Sequence, residues 1–456
     1  MISTRFSSDT SGIAGHPKGL MVLFFTEMWE RFSYYGMRAL LMLYMIAPQE
    51  SGGLGFTKGY AGLIYGIYTF SVYGFSIPGG WIADRYTGYR KAVIIGGLLI
   101  ALGQGCLALG NESFFYVGLL GLVLGTSFLK TNCSTMVGQL YADNDSRRDA
   151  GFSIYYMGIN LGALIAPLIC GYFAQDPRFL SALDAVGLSS RSGWSWGFGA
   201  AGIAMFLGVL QFYIQQDKLG SVGLKTGVYL DQKEGKHLPP LTDDEKSRMW
   251  VVGILMFFIM TFFFLFEQAG TTLNLFALEN TKNEYFGISF PSSWFQSVNS
   301  IWLLILAPIF SWFWIRLGPK EPSSPIKFAW GLLFVGLGML LLVLPSQYIA
   351  LEPGMKVSPN WLILTYMLHT VGELCLSPVG LSTTTKLAPA RYAGIMMGLF
   401  FFAIGAGNLL AGLVVPFSER LAPTTLFFGL FLITIAMAGV LLILNPIIKK
   451  MMAGVR

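Results

Sequence analysis

Glu27, Glu30, Arg31, Tyr34 and Arg38 fall at i, i+3, i+4, i+7 and i+11 of one apolar stretch, a spacing that sets them along a single face of an α-helix. Two acids and two guanidinium groups on one face can exchange protons and hold an organic anion. A self-neutralising stripe that only locks helices together is the plainer reading. It asks for fewer charges than the four present.

Other ionisable residues lie in other apolar stretches: Lys130, Glu267 and Glu373. His369 precedes Glu373 by four residues and Ser377 follows it by four, so all three share a face. His369 is either a neutral ring hydrogen-bonded near Glu373 or part of a proton relay. Tyr65, Tyr68, Asn160 and Asn299 add polar groups that could line a cavity or join helices. No nucleophile–base constellation, Gly-rich phosphate loop or metal-ligand spacing is present, so neither an enzyme nor a metal protein is expected.

The elements that position these residues must live in lipid. Of the 456 residues 54% are hydrophobic and only 12% charged, too apolar a balance for a soluble chain of this length. A helix needs about 20 mostly apolar residues to cross the hydrocarbon core. Such runs lie at about 20–47, 57–83, 91–110, 113–141, 149–174 and 194–216, and again at about 249–279, 291–315, 325–345, 359–386, 391–417 and 422–447. The runs are too long for barrel strands and lack their alternation, so the expectation is an all-α membrane protein of twelve spans. Its divisions would be a six-helix bundle over 1–216, a linker over 217–248 and a second six-helix bundle over 249–456.

An ionisable group at mid-membrane costs about 2.5–3.5 kcal/mol on insertion scales, so every charge within these spans implies a partner or a wet cavity. The remaining Lys and Arg are distributed unevenly, about 21 on the side of the N-terminus against about six opposite, which places both termini in the cytoplasm. The net charge of +6 is therefore a topology signal, and no nucleic-acid partner is expected. Cys106, Cys133, Cys170 and Cys375 all fall in apolar stretches and are expected as free thiols. The first span carries charges and lacks a small-residue cleavage site, so it is expected to be retained rather than removed as a signal peptide.

Between spans two and three, Gly80-Trp-Ile-Ala-Asp84-Arg85-Tyr-Thr-Gly88-Tyr-Arg90-Lys91 resembles the loop signature of the major facilitator superfamily. Its glycines would allow a tight turn and close helix approach, and Asp84, Arg85 and Arg90 could form a cytoplasmic charge latch. Arg148-Asp-Ala-Gly151 and Arg391-Tyr-Ala-Gly394, which open the fifth and eleventh spans, give modest support for two parallel halves.

Thr26-Glu27-Met-Trp-Glu30-Arg31-Phe32-Ser33-Tyr34-Tyr35-Gly36 resembles the first-helix signature of the proton-dependent oligopeptide transporter family. Phe152-Ser-Ile-Tyr-Tyr156-Met-Gly-Ile-Asn160 is similar to its fifth-helix signature, and Gly372-Glu373-Leu-Cys-Leu-Ser377-Pro378 to its tenth. The resemblance implies uptake of di- and tripeptides driven by protons, with no other cofactor. It also implies roles. Arg31, Tyr35, Lys130 and Asn160 would hold the peptide carboxylate, and Asn299 and Glu373 its amine. Tyr34, Tyr68, Ser377 and Phe400 would line the pocket. Glu27, Glu30, Arg31 and Glu267 would couple protons, and the pairs Arg38–Glu267 and Lys130–Glu373 would gate the two sides.

Two features depart from the family pattern. Many bacterial members carry an extra helix pair between the halves, but the linker Asp217 to Arg248 has no apolar run long enough to span. Where the family often has Trp, this chain has Phe400. A bacterial inner-membrane carrier acting as a monomer is the expectation. Alternatives are a carrier of nitrate or another small organic anion, which would not need Glu373, and a peptide sensor, which would need an output region.

Overall fold

The computed structural model describes residues 9–142, 145–224, 241–352, 354–389 and 392–452. Arg391 and linker residues 225–240, which entered the sequence expectations above, lie outside them. The described residues form fifteen α-helices: α1 (Gly19–Ile46), α2 (Lys58–Gly74), α3 (Ser76–Ile82), α4 (Tyr89–Ala108), α5 (Glu112–Gln139), α6 (Arg148–Gln175), α7 (Pro177–Ala185), α8 (Gly193–Gln215), α9 (Asp243–Phe266), α10 (Thr272–Glu279), α11 (Gln296–Leu317), α12 (Ser324–Leu351), α13 (Asn360–Leu387), α14 (Ala393–Arg420) and α15 (Pro423–Met451). The strands among them are β1 (Glu284–Tyr285) and β2 (Ile288–Ser289), which pair as a short antiparallel hairpin.

Ten of the helical stretches are long and apolar enough to cross a membrane. The other two of the expected twelve miss for identifiable reasons. α1 carries Glu27, Glu30, Arg31 and Arg38, and α2 ends at 17 residues, with the chain continuing through α3. The seventh span begins earlier than its apolar run. Thr242 and Glu245 form a capping box, so 243–248 are helical rather than linker.

The chain divides into two compact units. One contains Met1–Gly55 and Phe75–His237, the other Phe56–Gly74 and Leu238–Arg456. The division differs from the sequence expectation in placing α2 with the second unit. Glycine is the cause. A Cβ on Gly412 of α14 would lie 2.2 Å from the Gly62 carbonyl oxygen and 2.8 Å from the Gly66 Cα, so the α2 and α14 backbones nearly touch. Lipid supplies no hydrophobic drive between helices, so small residues that admit backbone contact carry such interfaces. In the first unit Gly96 and Gly125 do the same for α4 and α5, each within 2.6 Å of the other's carbonyl oxygen once a Cβ is added. Gly412→Val is expected to cost about 3 kcal/mol, because backbone atoms cannot move aside as side chains do. Thermal unfolding in detergent reads this as a lowered Tm, and an unchanged Tm would contradict the packing.

Outside the spans, the segment before α1 is tied down. Arg147 donates to the carbonyls of Asp9 at 3.0 Å and Gly15 at 2.8 Å while pairing with Asp145 at 2.7 Å. The Arg147 side chain holds the Asp145 carboxyl below the usual carboxylate range. His16 Nδ1 lies 2.8 Å from the Tyr141 hydroxyl, which burial pushes up to about 12. A carboxyl lowered in this way keeps its tie above the ordinary carboxylate range and loses it as pH falls through the lowered value. Limited proteolysis at neutral pH should therefore release residues 9–18 in Arg147→Ala, whereas the unaltered protein yields them only in strong acid.

Candidate substrate and proton site

In the first unit the α1 face is buried as its spacing requires. Glu27, Glu30 and Arg31 are all under 5% exposed, and Tyr34 and Arg38 are also buried. The Arg31 guanidinium lies 3.1 Å from Glu27 Oε1 and also contacts Glu30 Oε2, so one cation serves two anions. Its head stands 5.4 Å from the Tyr34 ring centroid, and Arg38 sits 5.6 Å from that of Tyr35. α6 comes close enough here that a Cβ on Gly162 would meet Arg31 Cβ at 3.0 Å. Lys130 of α5 has Arg31, Glu30 and Glu27 as its charged neighbours. Asn160 is buried and donates to the Tyr156 carbonyl at 2.9 Å, one turn back on its own helix.

Tyr155 carries a contact that spacing within one helix could not reveal. It is buried, and its hydroxyl donates to Glu27 Oε2 at 2.6 Å. The residue stood inside the fifth-helix signature, but nothing in that signature says which helix its hydroxyl faces.

In the second unit α9 breaks where Glu267 sits. The backbone passes through a 3-10 turn over Glu267–Gly270, and Thr271 has φ −118° and ψ −98°. Buried carbonyls freed by a break need donors. The Gln296 amide and, at 3.4 Å, the Tyr366 hydroxyl both donate to the Ala269 carbonyl, while Thr272 donates to the Gln268 side chain at 2.6 Å. Glu267 is buried and accepts from the Tyr65 hydroxyl of α2 at 2.6 Å.

Asn299 of α11 donates to Glu373 Oε2 at 3.2 Å and to the Thr370 hydroxyl at 2.9 Å, so the expected amine-binding pair does come together. Thr370, three residues before Glu373, is the member that sequence reading missed. His369 packs against Gly338 and beside the rings of Phe266 and Tyr366, and no hydrogen bond links it to Glu373. Tyr68 and the Ser377 hydroxyl are buried. Phe400 lies in the apolar core of this unit, where a Cβ on Gly380 would meet its ring at 3.3 Å.

The expected charge latch takes a different form. Asp84 and Arg85 are exposed, and Arg85 lies 5.8 Å from the Trp81 ring centroid. Arg90 is buried and donates to the carbonyls of Val222 at 2.7 Å and Gly220 at 2.5 Å, so it anchors the segment after α8 and pairs with no acid of the loop among the described residues. Uncapped carbonyls outcompete an acid that solvent already satisfies. Gly88, at φ +73°, makes the expected turn, and Gly79 rather than Gly80 makes the close approach, since its Cβ would lie 2.2 Å from Ser127 Oγ.

Membrane-length helices whose buried faces carry opposed charges define a multi-pass membrane carrier of the major facilitator fold. The sequence profile described as POT family matches residues 90–227 and 241–427. The chain belongs to this family, the proton-dependent oligopeptide transporters. It is 37% identical to the peptide transporter YePEPT of Yersinia enterocolitica over 98% of each chain. It is 33% identical to a di-/tripeptide transporter of Lactococcus lactis, over 97% of this chain and 98% of that one. A crystal structure of a glutamate-to-glutamine variant of a peptide transporter POT, in complex with alafosfalin, superposes with a TM-score of 0.89 at 36% identity and covers all of both chains.

Proposed function

We propose that this protein is a proton-coupled symporter that imports di- and tripeptides by alternating access. The observation that carries the reading is the charge balance around Arg31. Glu27 and Glu30 contribute two negative charges, Arg31 and Lys130 two positive, and the four are mutual neighbours. The cluster as a whole is neutral. One added proton leaves it with a single positive charge, and a peptide carboxylate restores the balance at low dielectric cost. Binding of proton and peptide then favour each other, which is the thermodynamic requirement for coupling.

In this reading Arg31 grips the carboxylate with its fork, Lys130 adds a point charge, and Tyr35 and Asn160 complete the contact. Glu373 and Asn299 take the amine. Tyr34, Tyr68 and Ser377 border the peptide, and Phe400 shapes that border from the core behind it. The pairs Arg38–Glu267 and Lys130–Glu373 open and close the two sides. Protons are the only coupling agent, and the protein is a carrier rather than an enzyme. It works as a monomer, and it lies in the bacterial inner membrane with both termini cytoplasmic, a placement supported by the bacterial relatives and the Lys/Arg asymmetry. Nitrate or another anion would leave Glu373 and its Asn299 donor without a task. A sensor would signal without moving peptide.

Proteoliposomes with an acidic exterior are expected to accumulate labelled dialanine, and unlabelled di- and tripeptides should compete where nitrate does not. Competition by nitrate alone would favour the anion carrier, and saturable binding without counterflow would favour the sensor.

A further inference from the structure

Glu27 and Glu30 share Arg31 but are otherwise held differently. Glu27 has two partners: Tyr155 reaches across from α6 and donates to Oε2, and Arg31 Nε pairs with Oε1. Glu30 is 0% exposed and has the contact with the same Arg31 Nε but, among the described residues, no hydroxyl donor like Tyr155. A carboxylate with an added hydroxyl donor keeps its charge, and one that has only the shared cation gives it up more readily.

We infer that Tyr155 is a positioning residue that reserves Glu27 as the permanent anion for Arg31 and leaves Glu30 as the carboxyl that gains and loses the coupled proton. This deepens the reading of the chain as a proton-coupled peptide carrier and rests on it.

Among the described residues of the first unit, no other carboxylate faces the pair. From α5 the groups facing the pair are Lys130 and the buried thiol of Cys133, whose Sγ lies 3.9 Å from the Leu23 carbonyl oxygen. From α6 there is Tyr155. α8 has no charged residue and meets α1 through Gln211, at 3.3 Å from the Thr26 hydroxyl. From α4 the Gln104 amide donates to Ser33. The proton adds to a Glu30 oxygen, the attraction to Arg31 falls, and the guanidinium turns from Glu30 to the peptide carboxylate while Glu27 still holds it in place. Neutralising Glu27 instead would release Arg31 from the anion that orients it.

The test compares acid-driven uptake of dialanine with dialanine counterflow, which needs no net proton movement, in proteoliposomes of each variant. The ratio of the two reports coupling. Glu30→Gln should lower it at least tenfold. Adding Tyr155→Phe to Glu30→Gln should raise it again at least threefold, because Glu27, relieved of its donor, can then take the proton. Tyr155→Phe should not rescue Glu27→Gln. Should the double variant fail to fold, Tyr155→Phe alone should move the pH profile of driven uptake toward less acid conditions.

No rescue in a folded double variant, or an unmoved profile for Tyr155→Phe, would overturn the assignment, since a purely structural tyrosine predicts both. A wild-type protein showing neither driven uptake nor counterflow of dialanine would instead remove the peptide-carrier reading itself.

Discussion

Arg31→Ala is expected to reduce dialanine uptake at least a hundredfold. Arg31 is the cation that contacts both Glu27 and Glu30, and removing it leaves two buried carboxylates with Lys130 as their charged neighbour. The cluster would then be net negative and would repel the peptide carboxylate it is meant to attract. Breaking a buried ion pair by deleting one partner costs about 3–5 kcal/mol. A hundredfold is about 2.8 kcal/mol, so the loss lies within what the geometry can deliver. Arg31→Lys restores the charge without the planar fork and should recover only part of the activity. Both variants are read by counterflow, with Tm in detergent as a check on folding. Near-normal counterflow in Arg31→Ala would mean that the carboxylate is held elsewhere.

Glu373→Gln should weaken peptides with a free N-terminus by roughly 30- to 100-fold, as expected for the loss of about 2–3 kcal/mol when a charge-assisted bond becomes neutral. Asn299 donates to Glu373 through its amide nitrogen and carries no charge, so Glu373 supplies the negative charge for an ammonium. N-acetylated dialanine, which has no ammonium, should lose little. Competition against labelled dialanine measures both. Equal losses for the free and acetylated peptides would show that Glu373 supports the fold rather than the amine.

Much of the site was legible because membranes punish unplaced charge. The spacing of Glu27, Glu30, Arg31, Tyr34 and Arg38 could be read as a face, and a charged face in an apolar run had to be buried with partners. Asn299 and Glu373 emerged from resemblance, and their side chains meet. What spacing could not supply was rotation of one helix against another. That is why the Tyr155 hydroxyl on Glu27, the Tyr65 hydroxyl on Glu267 and the Thr370 hydroxyl beside Asn299 were invisible until the helices were packed.

The break in α9 was hidden for a related reason. Apolar content runs on through Glu267, while the helix stops because Gln296, Tyr366 and Thr272 satisfy the polar groups the break exposes. Arg90 shares a short loop with Asp84, which in sequence invites an ion pair, whereas carbonyls from the far end of the unit are nearer in space. The capping box at Thr242 and Glu245, by contrast, was present in the sequence and marks the true start of the seventh span.

The claim on which the account rests is that one proton enters the Glu27–Glu30–Arg31–Lys130 cluster as a peptide carboxylate binds. Proton uptake on adding saturating dialanine to the purified protein in weakly buffered detergent, near neutral pH, tests it directly. An alkaline step proportional to the amount of protein is expected, and no step in Glu30→Gln. Saturable dialanine binding with no alkaline step would contradict it.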